Sequence, residues 1–144
     1  AILKVGPALT YGLRESLFSL SMMEKELVPE EKQAHFIETL EKVMLEKPDN
    51  WKKHYHGDEK QLALCRKYSF SDRCRYYIGL PEVVESINKL FENLREYPIP
   101  MNMLQYMPIS YIKVRDGIIP LDPRELALDG VVAFMEDYEY AIGR

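Results

Sequence analysis

Leu9, Leu13, Leu17, Leu20, Met23 and Leu27 recur at intervals of four, four, three, three and four. That spacing lines one face of an α-helix about five turns long and fits no strand, whose side chains alternate with period two. The same period returns in Phe36, Ile37, Leu40, Val43 and Met44, and again in Val84, Ile87, Phe91 and Leu94. Prolines divide these stretches. Pro29 and Pro81 suit the first turn of a helix, and Pro48 and Pro98 follow a helix end. Val28-Pro29-Glu30-Glu31 therefore predicts the start of the second helix, and Pro81-Glu82 that of a later one. Asp122-Pro123 predicts an N-cap and N1 pair opening a last helix through Leu126, Val131, Met135, Tyr138 and Ile142. Gly130 weakens that helix by about 1 kcal/mol relative to alanine. The chain reads as mainly α.

Three stretches depart from this pattern. Ile2-Leu3-Lys4-Val5-Gly6-Pro7 predicts a short buried strand closed by a turn. A lone strand forms no sheet, so its neighbours must come from elsewhere. Residues 49–69 predict short helical pieces broken near Gly57. Pro98, Pro100 and Pro108 make a folded connector in which Met101, Met103 and Met107 pack, and Ser110 to Val114 suits either strand or turn. The chain has 144 residues, opens on Ala1 without an initiator methionine and ends at Gly143-Arg144. The expectation is a piece of a longer protein.

Composition limits the function classes. A net charge of −4 argues against a general nucleic-acid or anionic-membrane binder, and no apolar run reaches transmembrane length. Cys65 and Cys74 belong to no metal-ligand pattern and read as reduced small hydrophobes, which makes cytoplasm the expected location. The even acidity conceals one region. Trp51 to Tyr77 holds seven Lys/Arg against three acids, a balance of +4 that leaves −8 for the remainder, together with six aromatics. Guanidinium groups among hydrogen-bonding aromatics can cradle phosphate or carboxylate oxygens. The plainer alternative is an interface or solvated helix face.

Other chemistry finds less support. His54 and His56 stand two apart, with His35 on an earlier helix and no Cys or Glu cluster to complete a metal site, so structural histidines are expected. Neither Ser69 nor Ser71 has a neighbouring histidine for a nucleophilic triad. Gly6-Pro7 carries no nucleotide-phosphate loop. Lys4 can serve as a Schiff-base amine or phosphate contact if it points into a barrel, and otherwise pairs with an acid.

Several long motifs then resemble one family in order along the chain. They are Leu3-Lys4-Val5-Gly6-Pro7-Ala8-Leu9-Thr10 with Leu13-Arg14-Glu15-Ser16-Leu17-Phe18, Trp51-Lys52-Lys53-His54-Tyr55-His56-Gly57, the run from Arg66 to Tyr77, and Tyr111 to Gly117 with Pro108. Together they resemble the Z-type, non-catalytic subunit family of class II D-tagatose-1,6-bisphosphate aldolase, in its C-terminal portion. The resemblance implies a (β/α)8 barrel of TIM type. Residues 1–27 would be its last strand and helix, and residues 28–144 a C-terminal helical extension. It implies a role in ketohexose-phosphate catabolism, supporting the activity and stability of a zinc-dependent aldolase partner, with a homo-oligomer as the other expected assembly. The stretch alone would not be catalytic. Zn²⁺ is assigned to none of its residues and left to the full protein or its partner subunit, because a class II enolate needs a divalent Lewis acid. Active sites of such barrels lie at the C-terminal strand ends, which implies Gly6 at the mouth and Lys4 just below. Arg73 and Arg75 are the candidates for phosphate contacts, Ser71 for a hydrogen bond and Tyr76 for ligand orientation. Two other readings stay open, a metal-dependent ketohexose-phosphate 4-epimerase or aldolase and a purely structural helical module.

Overall fold

A computed structural model describes residues 5–68 and 73–131, with side chains from Tyr11 onward. Five helices are bounded within it: α1 (Val5–Leu27), α2 (Phe36–Glu46), α3 (Glu59–Tyr68), α4 (Pro81–Glu96) and α5 (Pro108–Arg115). A sixth, α6, occupies 123–131 of the described residues. Single 3₁₀ turns at Glu30–Lys32, Pro48–Asn50 and Cys74–Tyr76 and a longer one at Met101–Tyr106 join them. Among the described residues there is no strand.

The long helix α1 is the spine, packed against α2, α4 and the turn Cys74–Tyr76. Leu17, Leu20 and Met23 of α1 meet Phe36, Leu40 and Met44 of α2 and Leu90 and Leu94 of α4 in one fully buried cluster. Each such side chain contributes about 2 kcal/mol by leaving water. A buried carboxylate reinforces the joint. Glu24 Oε2 accepts the Ala34 N–H at 2.9 Å and Asn93 Nδ2 at 2.9 Å, and the same amide donates to the Lys32 carbonyl at 2.8 Å. This ties α1, the link 28–35 and α4 at one point.

Four expectations change on contact with the structure. Val5, Gly6 and Pro7 form the first turn of α1, so Gly6 does not sit in a turn that closes a strand. The first amides of a helix have no intrahelical acceptor, and a proline there forfeits no bond. Of the strand expected over residues 2–5, Val5 is helical and residues 2–4 lie outside the described residues. Pro29 opens only the 3₁₀ turn Glu30–Lys32, because Ala34 N–H is drawn to Glu24; α2 starts at Phe36, after His35 takes a left-handed φ of 54°. Ser110 to Val114 is helix, where Ser110 Oγ donates to Asp129 at 2.7 Å and Lys113 Nζ pairs with it at 2.8 Å, joining α5 to α6. That tertiary joint overrides the β-branched bias of the segment. The buried stripe of α4 is Val83, Ser86, Leu90, Asn93 and Leu94, with Val84 exposed and Ile87 and Phe91 half-buried. Ser86 and Asn93 satisfy their polar groups inside, so an apolar count misplaces the face by one residue.

Asp122 caps α6 as expected, accepting Arg124 N–H at 3.1 Å and Arg95 Nε at 2.9 Å. The hydrogen bond from Arg95 holds its carboxyl below the usual carboxylate range. Gly130 proves necessary where propensity disfavours it. A Cβ there would fall 1.9 Å from Ser16 Oγ and 2.8 Å from the Gly12 carbonyl, so α6 crosses α1 backbone to backbone. Gly130→Ala is expected to destabilise the chain by about 1–3 kcal/mol through overpacking, despite alanine's better helix propensity. Urea unfolding followed by the single tryptophan checks this, and a neutral or stabilising alanine contradicts the close crossing.

Candidate anion-binding site

The basic, aromatic segment begins where the turn Pro48–Asn50 delivers Trp51 into the interior. Its indole Nε1 donates to the Met44 carbonyl at 2.6 Å, and its ring stacks on buried Tyr55 at 6.2 Å. Gly57 then takes φ 123°, where a side chain would collide with Gln61. A reciprocal capping box starts α3: Asp58 N–H donates to Gln61 Oε1 at 2.8 Å, and Gln61 N–H donates to Asp58 Oδ1 at 2.9 Å. This fixes the face of α3 that carries Arg66.

Arg66 is only 2% exposed. Its Nη2 donates to Glu41 at 3.1 Å and Glu59 at 2.9 Å, and its guanidinium lies 5.0 Å above the Trp51 ring. Its carbonyl accepts Cys74 Sγ at 3.3 Å, which anchors the turn carrying the candidate residues. Arg73 is set by two further bonds, its N–H to Tyr55 Oη at 3.1 Å and its Nε to the Asn50 carbonyl at 2.7 Å. Tyr77 closes the frame by donating its hydroxyl to the Lys47 carbonyl.

Arg73 and Arg75 flank Tyr76. Their guanidinium carbons lie 4.8 and 4.7 Å from its ring centre, and Arg75 Nη2 donates to Tyr76 Oη at 2.6 Å. Both arginines are half-buried, Tyr76 is exposed, and among the described residues neither arginine has a carboxylate at ion-pair distance. Two guanidiniums that meet no carboxylate among the described residues, with an aromatic hydroxyl between them, can accept an anion through charge-assisted hydrogen bonds. The structure thus brings together Arg73, Arg75 and Tyr76. Ser71 and Lys4 lie outside the described residues, and Gly6 stands in the first turn of α1.

The seven bases of the segment have different fates. Arg66 is buried and paired, Lys67 meets Glu41 at 3.3 Å, and Lys52, Lys53 and Lys60 face solvent. His54 and His56 are exposed, and among the described residues no three His, Cys, Asp or Glu gather to hold a metal. These residues do not fit a zinc site. Sequence reasoning gave no special role to Arg14, which is buried, reaches the Lys67 carbonyl at 2.6 Å and lies over the rings of Tyr11 and Phe18. It also gave none to Arg66, whose signal was the acid Glu59 seven residues earlier on the same helix face.

The sequence model of the family described as D-tagatose-1,6-bisphosphate aldolase subunit GatZ/KbaZ-like matches residues 1–143. The chain belongs to this family. It is also similar to a solved structure titled a probable tagatose 6 phosphate kinase from Sinorhizobium meliloti 1021, at 36% identity and a TM-score of 0.84 over 92% of this chain. This GatZ/KbaZ-like chain spans 34% of that relative's length. Among its described residues no helix is long and apolar enough to cross a membrane.

Burial pushes the Tyr77 phenol above its ordinary value of 10.0. A raised folded-state value favours the neutral form, so this stabilisation is full below about pH 10 and is lost as pH rises through the raised value. The urea midpoint is expected to fall more steeply above pH 10 in the native chain than in Tyr77→Phe. Parallel profiles for the two proteins contradict this role of the phenol.

Proposed function

We propose that this chain is the C-terminal region of a tagatose-bisphosphate aldolase Z-type subunit, which supports the activity and stability of a class II aldolase in ketohexose-phosphate catabolism. The observation that carries the reading is the family match over residues 1–143. The helices would serve as an assembly and stabilising element, in a cytoplasmic complex with the catalytic aldolase subunit. That partner, or the rest of the polypeptide, would hold the Zn²⁺, which supplies the Lewis acidity for the enolate.

Within this role Arg73 and Arg75 bind a sugar-phosphate oxyanion, and Tyr76 orients it from between them. Support comes from the two guanidiniums set against one ring, with no carboxylate partner among the described residues. Ser71 adds a hydrogen bond, and Lys4 and Gly6 contact the same ligand from the start of the chain.

Two measurements on the full-length protein test the reading. Added to a class II aldolase subunit, it is expected to raise turnover of tagatose 1,6-bisphosphate and to lengthen the half-life of the activity on warming. No change in either overturns the subunit role. The Arg73→Ala, Arg75→Ala double variant is expected to bind the sugar bisphosphate about tenfold or more weakly, as loss of charged hydrogen bonds implies. Unchanged affinity removes the phosphate role from these residues.

A further inference from the structure

Tyr55 is only 5% exposed, and its ring stacks on Trp51, whose indole is itself bonded to the Met44 carbonyl. Packing alone is served by phenylalanine, which differs by one oxygen. A hydroxyl at a buried position is costly unless it meets a partner. The Tyr55 oxygen accepts the backbone N–H of Arg73 at 3.1 Å, 18 residues further along the chain. Through that bond the interior reaches the candidate anion site.

The two arginines of the site are held in unlike ways. Arg73 is bonded twice, by its N–H to Tyr55 Oη and by its Nε to the Asn50 carbonyl at 2.7 Å. The first bond fixes the backbone from which the side chain leaves, and the second fixes its direction. Together they leave the two terminal nitrogens of Arg73 to meet a ligand. Arg75 leans on its neighbour Tyr76 through Nη2, and among the described residues its Nε finds no hydrogen-bond partner. A long side chain held in its bound geometry beforehand spares the ordering cost that binding otherwise carries. Arg73 is therefore the pre-set member of the pair and Arg75 the adjustable one. The turn Cys74–Tyr76 has a separate anchor, the Cys74 thiol on the Arg66 carbonyl, which does not involve Tyr55. Loss of the Tyr55 hydroxyl thus frees Arg73 while the turn stays in place.

We infer that Tyr55 is a positioning residue of the anion site: its hydroxyl sets Arg73 so that the terminal nitrogens meet the ligand, without touching the ligand itself. This inference rests on the proposed phosphate role of Arg73 and Arg75, and adds the residue through which the interior controls it.

A double-mutant cycle on the full-length protein, with tagatose 1,6-bisphosphate as the probe, tests the inference. Tyr55→Phe keeps the ring and removes the hydroxyl. It is expected to weaken binding about fivefold, as loss of one neutral hydrogen bond implies. In an Arg73→Ala background the same change is expected to weaken binding by less than about twofold, because a residue acting through Arg73 has nothing left to act on. The arginine Nε–H spectrum of the free protein gives a second readout. In Tyr55→Phe the Arg73 signal is expected to exchange with water about fivefold faster, with that of Arg75 unchanged. Native affinity in Tyr55→Phe overturns the inference. So does an equal loss in both backgrounds, which assigns Tyr55 to the fold at large. The two proposals fail separately. An Arg73→Ala variant of native affinity overturns the phosphate role, and the Arg73 signal then decides the positioning, which an unchanged exchange rate in Tyr55→Phe overturns. If Tyr55→Phe fails to fold, amide exchange in the unsubstituted protein decides instead. The Arg73 N–H is expected to exchange about 100-fold more slowly than an unstructured amide, and exchange at the unstructured rate overturns the inference.

Discussion

A guanidinium held out of water needs a carboxylate and an aromatic face arranged around it, and Arg66 imposes that demand on the chain. Its charge meets Glu41 from α2 and Glu59 from α3, and its flat surface meets Trp51. The contacts with Glu41 and Trp51 form only when α2, the turn after it and α3 hold fixed positions. Desolvation makes the arrangement costly to leave incomplete, because a buried ion without its partner costs several kcal/mol. The carbonyl of the same residue receives the Cys74 thiol, so the position of Arg66 also determines where the turn Cys74–Tyr76 begins. Arg73, Tyr76 and Arg75 inherit their places from a residue that points away from solvent.

A second polar point does similar work near the C-terminal end of α1. Glu24 and Asn93 join helices that hydrophobic contact alone would leave free to slide, since apolar burial has no direction while hydrogen bonds do. α1 also carries a close crossing, where Gly130 meets Gly12 and Ser16 with no room for a Cβ. The long helix is thus fixed in register by polar and steric means, and its apolar stripe supplies the bulk of the stabilisation.

Much of this was legible in the sequence because it follows from period and punctuation. The stripe from Leu13 to Leu27, the core positions of α2, the break at Gly57 and the cap at Asp122 each rest on local rules that the fold obeys. The charge contrast between Trp51–Tyr77 and the remainder singled out the region that bears the candidate site. What escaped was long-range. No local signal tells that Ala34 N–H will prefer Glu24 to a continuing helix, or that Ser86 and Asn93 belong to the buried face of α4. Likewise a count of bases cannot separate Arg66, which builds the frame, from Arg73 and Arg75, which stand on it. Family resemblance carried the functional reading further than residue chemistry did, and the match over residues 1–143 bears that membership out.

One basic segment therefore divides into a buried frame and a half-buried pair. Arginine Nε–H resonances of the full-length protein, recorded while tagatose 1,6-bisphosphate is added, test that division most directly. Arg66 is expected to show a slowly exchanging signal that stays in place throughout, while the signals of Arg73 and Arg75 shift together with saturation. A ligand-dependent shift at Arg66, with Arg73 and Arg75 unmoved, would contradict it.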